Sequence, residues 1–104
     1  MTKPLPIVVG IDFSTSSLWA LAQAATLADA WEVPLHCLHV IDEDDITDLA
    51  VALDQPMEAL IERARRAARQ MLTEAVAPYA AHMKIVPTVE FGLSRQSLNR
   101  LVRE

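Results

Sequence analysis

Residues 5–12, Leu-Pro-Ile-Val-Val-Gly-Ile-Asp, run apolar without alternation and end on a carboxylate. A strand with one wet face alternates polar and apolar side chains. An unbroken run belongs to a strand covered on both faces, which points to a parallel sheet. A parallel neighbour is out of reach of a tight hairpin, so a helical crossover must follow. The chain supplies one. Ser14 or Ser16 can cap the first free backbone amides, and Leu18, Leu21, Ala22, Ala25 and Ala28 recur at helical spacing as far as about Trp31. Pro34 then opens a second apolar run, Leu35 to Ile41, because proline is tolerated at a strand's first position.

The pattern repeats downstream. The acidic stretch from Asp42 to Asp48 reads as a loop, with a short helical turn over 46–53. Asp54-Gln55-Pro56 reads as a cap followed by proline at the first helical position. A long helix is expected from Pro56 to about Pro78, with Leu60, Ala64, Ala67, Ala68, Met71, Leu72 and Ala75 turned inward. A third strand spans Lys84 to Phe91 and ends at Gly92, and Pro87 within it marks a sheet edge. Ser94 then caps a last helix carrying Leu98, Leu101 and Val102. Three successive strand-helix units mean right-handed crossovers and an α/β parallel sheet with flanking helices, a single domain over 1–104.

Composition bounds the function. Residues are 52% apolar and 22% charged, enough for a packed core. A net charge of −5 speaks against nucleic acid as a partner. No segment approaches the length needed to span a bilayer, and the start of the chain does not read as a secretory signal. A single cysteine, Cys37, excludes an internal disulfide and fits a reducing compartment, so the expected location is cytoplasmic.

Three segments carry a resemblance. Val8-Val9-Gly10-Ile11-Asp12-Phe13-Ser14 is similar to the opening strand of the universal stress protein family, with its aspartate and serine. Leu35 to Asp42 resembles that family's second strand, and Val89-Glu90-Phe91-Gly92 the end of its third. The order and spacing match as well, so the resemblance runs along essentially the whole chain. It implies a Rossmann-like fold of the adenine nucleotide alpha hydrolase type. It also implies a non-enzymatic stress-response or regulatory role, with ATP or AMP as ligand. The residues implied for the adenine and ribose are Gly10, Ile11, Asp12, Ser14 and Val40. That placement agrees with the rule that open α/β sheets bind ligands outside the carboxyl ends of their strands, where the strand order changes direction.

Two departures from the family stand out. Glu32 occupies the position where the family ends its first helix with glycine, so this turn is expected to be built differently. The family's phosphate grip is a glycine-rich loop after a fourth strand. This chain stops before it and holds two glycines, Gly10 and Gly92. Only the adenine half of a nucleotide site is therefore implied, in a domain truncated after its third unit. In the family's strand order, 3-2-1-4-5, that truncation leaves the first strand as an open apolar edge. Such an edge invites pairing with another chain, and a homo-oligomer is expected.

Other residues have plainer readings. Asp12 either contacts a ligand or caps the first helix together with Ser14. Cys37 and His39 share a strand face, but two ligands make no closed metal site, and no metal is expected. Arg63, Arg65, Arg66 and Arg69 read as a solvated helix face with Glu58 and Glu62. Trp19 and Trp31 are expected to cover the boundary between helix and sheet. No serine, cysteine or histidine has the partners of a nucleophilic triad. The competing reading is an oligomerisation or interaction module that binds no nucleotide.

Overall fold

The computed structural model describes residues 5–92. Its elements are β1 (Ile7–Gly10), α1 (Thr15–Trp31), β2 (Leu35–Asp42), α2 (Glu43–Leu53), α3 (Met57–Ala80) and β3 (Ile85–Gly92). The three strands are parallel in the order β1-β2-β3, so β2 is central. Register puts Ile7 beside Leu35 and Leu35 beside Ile85, and Gly10 beside Leu38 and Leu38 beside Thr88. The expected last helix, from Ser94 onward, lies outside the described residues.

One face of the sheet carries the main core. Ile7, Val9 and Ile11 from the first strand and its exit join Leu35 and Cys37 of β2 and Ile85 and Val89 of β3. They pack under Leu21, Ala24, Ala25 and Ala28 of α1 and Leu72 and Val76 of α3. Alanines at three of the four inward α1 positions let that helix lie close to the strands. A second cluster joins Ile41 at the end of β2 to Ile46 of α2 and Leu60 of α3. Alternation sends Val8, Gly10, His36, Leu38, Val40, Thr88 and Glu90 to the opposite face.

Several expectations are corrected. The acidic stretch is a full helix, α2, rather than a loop. The Asp42 carboxylate accepts the Asp44 amide at 2.8 Å, and Glu43, Asp44 and Asp45 fill the first turn, where the helix dipole favours negative charge. β1 is shorter than the apolar run, so Ile11 and Asp12 lie just beyond it. Asp54 closes α2 instead of opening α3. Pro56, without a side-chain cap bond, stands one place before the first residue of α3. The third helix runs past Pro78 to Ala80. Ala67 and Met71 are exposed, because Leu60, Ala68, Leu72 and Val76 already define the inward line of α3. Trp19 and Trp31 stand in water rather than at the sheet boundary, and Leu18 is exposed as well. Helical geometry explains Trp19: with Leu21 facing the sheet, a residue two positions back lies about 200° round the helix.

Glu32 is the last correction. The turn is built in the usual left-handed way despite the missing glycine. Glu32 has φ 54° and ψ 45°, and the Val33 amide donates to the Ala28 carbonyl at 3.0 Å. An L-residue carries a cost of roughly 1–2 kcal/mol in that conformation. Glu32→Gly is therefore expected to raise the melting temperature by about 4–8 °C, the shift that roughly 1 kcal/mol gives a domain of this size. An unchanged or lower midpoint in a thermal melt would refute the assignment.

Candidate functional site

Beyond Gly10 the chain leaves the sheet and turns sharply into α1. The Ile11 amide still donates to the Leu38 carbonyl at 2.8 Å, and the Ile11 side chain is buried. Asp12 follows in full exposure. Phe13 then takes a left-handed conformation, φ 67°, rare for a bulky residue and concentrated at functional turns. Ser14 is the N-cap of α1, its hydroxyl oxygen accepting the Ser17 amide at 3.1 Å.

Of the two roles expected for Asp12, the structure shows the cap. One carboxylate oxygen accepts the Ser14 amide at 2.9 Å, an Asx turn that supports the cap. The residue as a whole remains open to water. The Ser14 hydroxyl, then the Ser14 amide, then the Ser17 hydroxyl stabilise the charged form and bring its pKa from 3.8 to about 2. The folded carboxylate thus binds its proton more weakly than the unfolded one. Its contribution to stability is present above pH 3.8 and is lost as pH falls from 3.8 towards 2. A carbon-detected NMR titration should place the Asp12 midpoint near the lower value; a midpoint at or above 3.8 would contradict the turn geometry.

Two residues that the sequence reading did not assign to the site hold the turn from behind. His39 Nδ1 lies 2.7 Å from the Ile11 carbonyl oxygen. A carbonyl can only accept, so Nδ1 carries the proton and donates it. The His39 ring also packs on Phe13, with centroids 4.8 Å apart and planes tilted by 41°. Ser17 adds a third tie, its hydroxyl oxygen accepting the Asp12 amide at 3.3 Å. His39 was readable only as a neighbour of Cys37 on one strand face, and nothing in the sequence linked it to a backbone carbonyl 28 residues away.

The five residues expected at the site gather at one end of the sheet. Gly10, Ile11, Asp12 and Ser14 are nearly contiguous, and Val40 lies two residues beyond Leu38, the register partner of Gly10. Gly10 and Val40 share the face turned away from α1 and α3. A side chain placed on Gly10 would meet nothing within 4 Å, so packing among the described residues does not account for the glycine. Cys37 lies deep in the main core, where burial raises its thiol pKa to about 11. Among the described residues, no three histidine, cysteine, aspartate or glutamate side chains are grouped as a metal would require.

The comparisons agree with this architecture. The structure of universal stress protein UspA from Lactobacillus plantarum superposes with a TM-score of 0.66 at 18% identity, over 99% of this chain and 71% of that one. A universal stress protein family member from Burkholderia pseudomallei gives 0.71 at 21% identity, over 94% and 72%. At these identities the likeness establishes the α/β, Rossmann-like fold. No curated protein matches the sequence. The model of the universal stress protein family matches residues 5–104, nearly the whole length, and the chain belongs to that family.

Proposed function

We infer that this universal stress protein is a non-catalytic regulator that holds the adenosine part of ATP or AMP at the exit of β1. The observation that carries the reading is the pairing of Asp12 with the open space over Gly10. An ionised, solvent-facing carboxylate stands at the carboxyl end of a parallel strand, beside a glycine over which no described residue packs. A carboxylate is suited to accept from ribose hydroxyls. The open space over Gly10 leaves room for a base to lie against the sheet on the face that Val40 shares. Ile11 and Ser14 contribute by fixing the turn. The regulatory step would be ligand-dependent or stress-dependent assembly in the cytoplasm; among the described residues no helix is long and apolar enough to cross a membrane.

Residues 1–104 hold two glycines, Gly10 and Gly92, and these do not make a glycine-rich cradle, so phosphates should add little to the affinity of this 104-residue chain. Titration calorimetry is therefore expected to give similar affinities for adenosine, AMP and ATP. A hydrogen bond to a charged group is worth about 1.5–3 kcal/mol, so Asp12→Ala should weaken all three by roughly 10- to 100-fold. Asp12→Asn keeps an oxygen for the Ser14 amide and should lose affinity as well. If only the alanine variant weakens binding, the role of Asp12 is the cap. No heat from any ligand at millimolar concentration would sink the nucleotide reading.

A further inference from the structure

Helix α1 is apolar on the side turned away from the sheet as well as on the side that packs. Leu21, Ala24, Ala25 and Ala28 face inward. Trp19 is nevertheless 67% exposed, Trp31 64% and Leu27 44%. Trp19, Gln23, Leu27 and Trp31 stand four residues apart, which makes them one continuous ridge on the outer surface. Surface helices ordinarily turn charge outward. In the 17 residues of α1 the one charged side chain is Asp29, which falls off this ridge; by helical geometry it lies about 80° from Trp19, on the side away from Leu27.

The character of the ridge selects its occupant. Copies of a chain with net charge −5 repel wherever their carboxylates meet, and the ridge is a place where none stands. A two-fold axis across it would set tryptophan and leucine against tryptophan and leucine. The Gln23 amides near its middle can both donate and accept across the axis. A lipid surface fits less well, because helices that lie on membranes carry lysine or arginine beside their apolar face and α1 has neither. Area is sufficient too. A tryptophan offers up to about 250 Å², so two at these exposures leave roughly 300 Å² of apolar surface in water, already at the level of the largest patch on an ordinary monomer. Doubled across an axis, and extended by Leu27, Ala20, Ala30 and Ser16, the contact reaches the roughly 1,000 Å² that a specific interface needs.

We propose that two copies of this chain associate through α1, ridge against ridge, in a two-fold dimer that buries Trp19, Leu27 and Trp31. The association is independent of the nucleotide reading, since the ridge shares no residue with the turn at Asp12. It uses a helix face, not the edge of β1, which has β2 as its one neighbour among the described residues.

Trp19 and Trp31 are the chain's two tryptophans, so intrinsic emission reports on this face alone. Sedimentation and emission are measured together from low micromolar to several hundred micromolar protein. The mass should rise from 11.5 kDa towards twice that value, with the emission shifting to the blue over the same concentrations. Leu27→Lys should remain monomeric and red-emitting throughout, with unchanged far-ultraviolet circular dichroism. Lysine is chosen because it reduces the net negative charge, so loss of the dimer cannot arise from greater general repulsion. If that variant folds poorly, Gln23→Lys at a fully polar, exposed position makes the same test. A wild-type chain that stays monomeric with constant emission overturns the proposal. So does a Leu27→Lys chain that still dimerises without a blue shift, the outcome expected of pairing through β1.

Discussion

Leu72→Ala is expected to lower the melting temperature by at least about 10 °C. Leu72 is 1% exposed and sits where α3 crosses onto the sheet, in the cluster that also holds Leu35, Cys37 and Val76. Truncating a fully buried leucine costs about 2–5 kcal/mol, the transfer term plus the cavity left behind. Domains of this size have only about 5–15 kcal/mol of stability in total, and each 1 kcal/mol moves the midpoint by roughly 4–8 °C. The site is hard to collapse, because its neighbours come from three different elements and cannot all move inward together. Met71→Ala, one residue away but in water, serves as the control and should shift the midpoint by no more than a few degrees. Equal losses from the two variants would show that the inward line of α3 has been misplaced.

His39→Phe should have the second-largest effect, and a more local one. Phenylalanine keeps an aromatic ring against Phe13 but cannot donate to the Ile11 carbonyl. Leaving a buried acceptor without its partner costs about 1–3 kcal/mol. The loss should appear first where the histidine acts. Amide hydrogen exchange at Ile11, Asp12, Ser14 and Ser17 should accelerate by roughly tenfold or more, as expected for opening about 1.4 kcal/mol cheaper. The amides of α3 should follow only the global change. Exchange at the turn that is no faster than in the wild type would mean that Phe13 holds its left-handed conformation without help from His39.

Most of the fold was legible because burial on both faces leaves an unambiguous mark. Leu35 to Ile41 read as a strand and is one, extended by Asp42; Thr15 to Trp31 and the helix before Ala80 read as helices and are. Pro87 was read as an edge signal, and β3 has β2 as its one neighbour among the described residues. What the sequence hid falls into two kinds. Helix α2 presents a single buried side chain, Ile46, so it has no apolar period to find; its stability comes from the Asp42 cap and the carboxylates of its first turn. The inward faces of α1 and α3 are legible only in part: Leu21, Ala25, Ala28, Leu60, Ala68 and Leu72 are buried as their spacing implies, whereas Leu18, Ala67 and Met71 are exposed. Alanine packs as readily as it tolerates water, so an alanine-rich helix does not announce its phase. By hydrophobicity Met71 belongs on the inward stripe and Trp19 and Trp31 at the boundary of helix and sheet, yet all three stand in water.

The site divides in the same way. Asp12 and Ser14 follow from a strand that ends on a carboxylate and a helix that needs a cap. The left-handed Phe13 and the His39 bond arise from tertiary packing between segments far apart in sequence, and no local pattern encodes them.

Cys37 carries a consequence for a protein of this family. It is the chain's sole thiol, it sits in the middle strand with no exposure, and burial keeps it protonated at neutral pH. Peroxide attacks thiolates that it can reach, and this sulfur offers neither charge nor access. The folded chain is therefore inert to thiol oxidation. Sulfenic acid, glutathione adducts and intermolecular disulfides can form at Cys37 only in molecules that have already opened, so the oxidised fraction in a cell would count past unfolding events.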